Sequence, residues 1–161
     1  MKIKLSSLYF IIIFYCVIGC AYIPTPPPLP ATLDIQTPSP DVPPEIAAFI
    51  GIWEGKWGAS LDTIIVIEKI DNQKARLIYS YGKLEGSGIV GEACYAYYTA
   101  SVVRGPRLEW TVDAKPASDT EKYYQCPCKF TLELTKNKDM IAYWEQTEQQ
   151  HKIRADLRKR E

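Results

Sequence analysis

Phe49-Ile50-Gly51-Ile52-Trp53-Glu54-Gly55-Lys56-Trp57-Gly58 is the stretch that decides the fold of this chain. In an extended strand successive side chains point to opposite faces, so Trp53, Gly55 and Trp57 share one face while Glu54 and Lys56 share the other. The segment therefore reads as a strand with a dry side and a wet side. The same rhythm recurs downstream. Thr63 to Ile70 is strongly β-branched, and Asp71-Asn72-Gln73 reads as a hairpin turn into Lys74 to Tyr81. There Ala75, Leu77, Tyr79 and Tyr81 lie opposite Lys74, Arg76 and Ser80.

Gly82, Gly86, Gly88 and Gly91 mark a loop, and Cys94 to Arg104 is a further strand stopped by Gly105-Pro106. Leu108, Trp110 and Val112 alternate with Arg107, Glu109 and Thr111; Lys115 to Thr120 is a loop. Cys126, Cys128, Phe130, Leu132 and Leu134 share a face of the next strand, and a turn at Lys136 to Asp139 leads to Met140 to Thr147. Glu148 to Glu161 is rich in helix formers, but a helix there would have only Ile153 and Leu157 to bury. The expectation is a strand over His151 to Arg158, with Ile153, Ala155 and Leu157 facing one way.

Seven or eight short antiparallel strands, each with one apolar face, within roughly 115 residues predict an all-β domain. The predicted fold is a small up-and-down β-barrel of about eight strands, because closure removes the edges an open sheet would expose. A β-sandwich of the same strands is the rival arrangement.

Upstream, the text changes twice. Residues 1–19 carry Lys2 and Lys4 followed by an uncharged apolar run from Leu8 to Ile18, the pattern of a signal peptide. Residues 21–44 hold nine of the twelve prolines and little that could form a core, so a solvated, extended tether is expected. In polyproline II it would reach up to ~70 Å. The division is thus a leader over 1–19, a cysteine and tether over 20–44, and a folded domain over 45–161.

Lys plus Arg and Asp plus Glu both number 19, so no net field draws the chain to nucleic acid, and the basic run Lys152 to Arg160 reads as a solvated strand face. A single histidine excludes multi-histidine metal sites and makes a nucleophile–base pair hard to build. No phosphate-cradling glycine motif or nucleophile elbow is present. Glu145 and Glu148 fall on opposite strand faces, so they do not form an acid–base pair. No enzyme, cofactor or metal is predicted. A zinc site from Cys94, Cys126, Cys128 and His151 has the right ligand types, but Cys-Pro-Cys is not a zinc-ribbon spacing. In an oxidising compartment a disulfide joining Cys94 to Cys126 or Cys128 is the expected use of these thiols, with one left over.

Two resemblances add to this reading. Val17-Ile18-Gly19-Cys20 resembles the bacterial lipobox, which implies a lipoprotein whose mature N-terminus is Cys20 carrying palmitate-like acyl chains. Ala21, where an Asp would signal inner-membrane retention, implies the outer membrane and a domain facing the periplasm. Gly51-Ile52-Trp53 resembles the first-strand Gly-X-Trp of lipocalins, members of the calycin group, and the small size resembles avidins. That resemblance implies that Trp53 packs at the closed end of a barrel, covered by Arg154 or Arg158 through a cation–π contact. Trp57, Tyr79, Tyr81 and Trp110, inward by parity and nearer the other end, are then the candidate ligand contacts. The expected function is binding of a small apolar, lipid-like molecule. The alternative is a non-catalytic module with a side-chain-filled barrel that engages an envelope protein through loops 82–93 and 113–125.

Overall fold

Alternation of apolar and polar residues gives most strands one buried face, and the structure gathers those faces in a single ring; the strands Leu61–Ile70 and Lys74–Tyr81 are buried on both faces. The computed structural model describes residues 25–58, 60–83, 92–113, 127–146 and 151–161. After a one-turn helix α1 (Pro44–Ala47) come β1 (Gly51–Trp57), β2 (Leu61–Ile70), β3 (Lys74–Tyr81), β4 (Cys94–Val103), β5 (Arg107–Val112), β6 (Cys128–Leu134), β7 (Met140–Gln146) and β8 (His151–Lys159). Each strand pairs antiparallel with the next and β8 returns to β1, so the barrel is closed. It is the predicted up-and-down barrel rather than a sandwich. The last segment is a strand, and its Ala155 and Leu157 are buried in the core.

Parity is broken once, to good effect. Between Ile67 and Lys69 the register of β2 on β3 shifts by one residue. Thr63, Ile65 and Ile67 point inward, so without the shift Ile70 would point out; with it, Ile70 stands opposite Ala75 and joins the core.

The two ends of the barrel differ. One carries the short connections 71–73, 104–106 and 135–139 together with the entry from α1, and there Phe49, Trp53, Met140 and Leu157 are at most 1% exposed. Gly51, at φ +122°, turns the chain from this plug into β1. The opposite end carries the connections 58–60, 82–93, 113–127 and 147–150, two of them long.

The proline-rich segment departs from expectation. From Thr25 onward it is not a free tether but a strap laid along the outer face of β2 and β3. Thr25 bridges to Lys83, whose N–H donates to the Thr25 carbonyl at 3.1 Å. Ser80 Oγ donates to the Pro28 carbonyl. Leu29 and Leu33 cover Ile64, Val66 and Ile78, which point away from the barrel interior and are nevertheless buried. Glu68, 2% exposed, accepts the Asp34 N–H at 2.9 Å, pairs with Arg76 at 3.1 Å, and offers its carbonyl to the Gln36 N–H at 2.8 Å. Arg76 also pairs with Asp34 at 2.6 Å, and that hydrogen bond holds the Asp34 carboxyl below its ordinary pKa. Asn72 donates to the Asp41 carbonyl at the far hairpin, and Val42 is buried. The strap thus runs from the long-loop end to the plugged end. Proline keeps it extended, and the barrel wall meets the Thr25, Pro28 and Asp41 carbonyls and the Asp34 and Gln36 N–H groups.

Candidate functional site

The four aromatic residues expected inside the barrel meet in its half nearer the long loops, around a fifth. Trp110 and Phe130 are register partners on β5 and β6 and stack with centroids 4.7 Å apart and planes 3° apart. Tyr79 lies 5.0 Å from Phe130, 6.4 Å from Trp110 and 6.5 Å from Trp57, and Trp57 lies 6.1 Å from Phe130. Tyr81 continues the line outward, 5.8 Å from Tyr79. Such offset and edge contacts each add to stability beyond the area they bury.

Phe130, at the centre, was placed inward by its alternation but was not among the expected ligand contacts. Tyr98, 6.1 Å from Trp110, and Trp144, 6.0 Å from the His151 ring, complete the aromatic lining. Their signal was again parity, since Tyr98 shares a face with buried Ala100 and Trp144 with buried Ala142.

Exposure rises steadily along the barrel axis. Trp57, Tyr79, Tyr81 and Trp110 keep between 5% and 8%, whereas the plug is essentially sealed. Leu61, Tyr98, Val112, Trp144 and Ile153, farther out, are half-buried. The long-loop end is therefore an aromatic mouth, and the barrel below it is filled with side chains.

Two polar atoms within this mouth stand out. The indole N–H groups of Trp57 and Trp110 are both buried, and among the described residues neither has a hydrogen-bond acceptor. A buried donor left unpaired costs roughly 1–3 kcal/mol, and buried donors in native proteins nearly always find a partner. Both belong to residues that touch Phe130, so two unmet donors flank one stacked ring. Burial pushes the Tyr98 phenol above its ordinary pKa, and the nearby Cys94 and Cys128 thiols add to this.

At the plugged end Trp53 packs as expected, with Nε1 donating to the Phe49 carbonyl at 2.7 Å, but its cationic cover is neither Arg154 nor Arg158. Those residues have the parity opposite to Ile153, Ala155 and Leu157 and so point outward, Arg154 to Asp156. Lys159, register partner of Trp53, places Nζ 5.3 Å from the ring centroid and donates to the Ala48 carbonyl at 3.4 Å. Burial pushes the Lys159 ammonium below its ordinary pKa, so this contact is made at some desolvation cost.

The expected pairing of Cys94 with Cys128 does not form. Cys94 is exposed at the start of β4, Cys128 is buried at the start of β6, and β5 stands between them. Two strand spacings put the backbones ~10 Å apart, beyond the ~7 Å that a disulfide spans. Cys126, the other expected partner, lies outside the described residues, as do Glu148 and Cys20. Among the described residues no three His, Cys, Asp or Glu side chains gather as a metal site. A surface groove between Gln36 to Val42 of the strap and Lys69 to Asp71 lies at the plugged end, remote from the aromatic mouth. No protein-family model, curated protein or solved structure matches this chain.

Proposed function

We propose that the chain is a lipid-anchored periplasmic binding protein whose aromatic mouth holds a small apolar molecule bearing a hydrogen-bond acceptor. The anchor is Cys20 in its lipobox-like context, and the membrane is the outer membrane, as Ala21 implies. The observation that carries the binding reading is the pair of buried indole N–H groups of Trp57 and Trp110, without an acceptor among the described residues, at the less tightly sealed end of the barrel. An amphiphile with its hydrocarbon against Leu61, Val112 and Ile153 and a carbonyl or carboxyl oxygen between the indoles would satisfy both. Lipocalin-like binding at a barrel mouth is consistent with this geometry.

Native mass spectrometry of the purified chain should show a co-purified small molecule, or uptake of added dodecanoic acid with quenching of tryptophan fluorescence. Neither mass shift nor quenching would overturn the reading. Trp110→Phe keeps a smaller aromatic ring against Phe130 and removes one donor. It should weaken dodecanoic acid binding about tenfold, the equivalent of one hydrogen bond at ~1.4 kcal/mol. Because the removal of an unpaired buried donor offsets the packing lost with the smaller ring, the unfolding free energy should change by less than about 1 kcal/mol. Calorimetric titration and urea unfolding check the two halves separately.

A second reading, a non-catalytic interaction module such as a lytic-enzyme inhibitor or envelope assembly factor, has a different observation in its favour. On the outer face of β4, Tyr95 and Tyr97 stand 41% and 56% exposed and meet edge to face at 6.1 Å, a pair of anchors of the kind enriched at protein interfaces. Capture of a defined envelope protein by the wild-type chain, lost in Tyr95→Ser/Tyr97→Ser with dodecanoic acid binding intact, would establish it.

A further inference from the structure

We propose that the strap holds the aromatic mouth of the barrel against the bilayer that carries the anchor, so that the mouth receives an acyl chain directly from that leaflet. The inference rests on the anchoring at Cys20 and the mouth-binding reading above, and it names their ligand class: membrane lipid or a lipid-derived amphiphile.

The argument is one of reach and direction. Thr25 is fixed to Lys83, just beyond Tyr81 at the end of β3, and this is the rim of the mouth. The fit there is close. A Cβ on Gly82 would lie 2.4 Å from the Thr25 carbonyl oxygen, so the wall is cut back to glycine where the strap crosses it. Ser80, Leu29 and Leu33 hold the next turns of the strap, and the Glu68–Arg76–Asp34 cluster holds its middle. Only five peptide units separate Cys20 from Thr25, and an extended chain spans at most ~3.6 Å per residue, so the rim lies within ~18 Å of the anchored cysteine. The hairpin at 71–73 lies at the other end of β3, ~26 Å away along the strand for eight residues at ~3.3 Å each and roughly 20 Å away along the tilted barrel axis.

A free proline tether over 20–44 would have let either end face the membrane at up to ~70 Å. Docking removes most of that length and sets the polarity. The half-buried Leu61, Val112, Trp144 and Ile153 at this end then face the lipid rather than water, and tryptophan at that depth matches the preference of its ring for the membrane interface. The hydrocarbon of the ligand need not cross solvent to reach Trp57 and Trp110.

The test uses the lipidated full chain in phosphatidylethanolamine–phosphatidylglycerol vesicles doped with a headgroup-nitroxide lipid, in a Cys126→Ser background. A fluorophore on Cys94, at the mouth, is compared with one on Asn72→Cys in a chain also carrying Cys94→Ser, at the plugged hairpin. The mouth label should be quenched about threefold more strongly, given an axial separation of roughly 20 Å once the strand tilt of about 35–45° is allowed for. Inserting ten Gly/Ser residues after Ala21 leaves the strap docked and should abolish that difference, as should Leu29→Asp/Leu33→Asp, which releases the strap. Equal quenching at the two positions, or stronger quenching at Asn72→Cys, would overturn the orientation. Two companion measurements separate this from failure of the underlying reading: a chain that does not float with the vesicles overturns the anchor and the orientation together. A Cys20→Ser chain that still binds dodecanoic acid, beside a native chain quenched equally at both ends, overturns the orientation alone.

Discussion

Trp53→Ala should lower the unfolding free energy by about 3–5 kcal/mol in urea denaturation, the cost of emptying a large buried aromatic site. Trp53 is 1% exposed and shares the core cluster with Phe49, and its loss opens the plugged end at the point where α1 hands the chain to β1. Three effects act together. The ring is lost from the core, the Phe49 carbonyl loses its donor at 2.7 Å, and Lys159, partly desolvated over that ring, loses its cation–π partner. Against a typical domain stability of ~5–15 kcal/mol the variant would be marginal. Trp53→Phe isolates the second effect. It retains most of the packing, leaves the Phe49 carbonyl unpaired, and should cost about 1–2 kcal/mol. A loss below ~1 kcal/mol for the alanine variant would mean that the plug collapses around the gap, and the closed end would not be the rigid floor described above.

Much of this was legible in alternation alone. Trp53 and Trp57 on β1, Tyr79 and Tyr81 on β3, and Trp110 on β5 all point inward as their positions require, and the barrel follows once each strand must hide one face. The aromatic cluster was within reach for the same reason; Phe130 lies on the face already assigned to the core of β6. The strap was hidden by its composition. Proline-rich sequence cannot form a core of its own, but it can cover one, and the sign of that cover was in β2 and β3. Ile64, Val66 and Ile78 interrupt the polar face, making Ile64-Ile65-Val66-Ile67 apolar on both sides, as in strands buried twice over. Glu68 is the polar exception, and it is the residue that takes hold of the strap. The cation over Trp53 was missed by position: Arg154 and Arg158 have outward parity, whereas Lys159 returns to the inward face directly opposite Trp53. The cysteine pairing could not be judged from parity, because only the strand order shows that β5 separates Cys94 from Cys128.

Gly55→Val should be comparably severe, and for a reason that concerns closure rather than volume. Gly55 stands opposite Leu157 where β1 meets β8, the seam that joins the beginning of the barrel to its end. A Cβ at Gly55 would fall 2.1 Å from the Asp156 carbonyl oxygen, 3.1 Å from its carbon and 2.8 Å from Leu157 Cδ2. The Leu157 methyl can swing away, but the carbonyl belongs to the β8 backbone and moves only if the strands part. Even Gly55→Ala should therefore cost about 2–3 kcal/mol, the upper part of the usual range for overpacking, and the valine variant at least ~3 kcal/mol. In a domain of this size each kcal/mol lowers Tm by roughly 3–5 °C, so differential scanning calorimetry should find the alanine variant melting about 6–15 °C below the parent. Adding Leu157→Ala separates the two contacts. It relieves the methyl and leaves the carbonyl, so it should not restore the Tm of Gly55→Ala; full restoration would place the whole clash in the side chain and leave the seam free to tolerate a Cβ. If the seam is what gives, β1 and β8 become open edges with unpaired backbone groups. The valine variant should then sediment as oligomers under conditions where the parent chain stays a single species, and a destabilised but strictly monomeric variant would show that the ring remains closed.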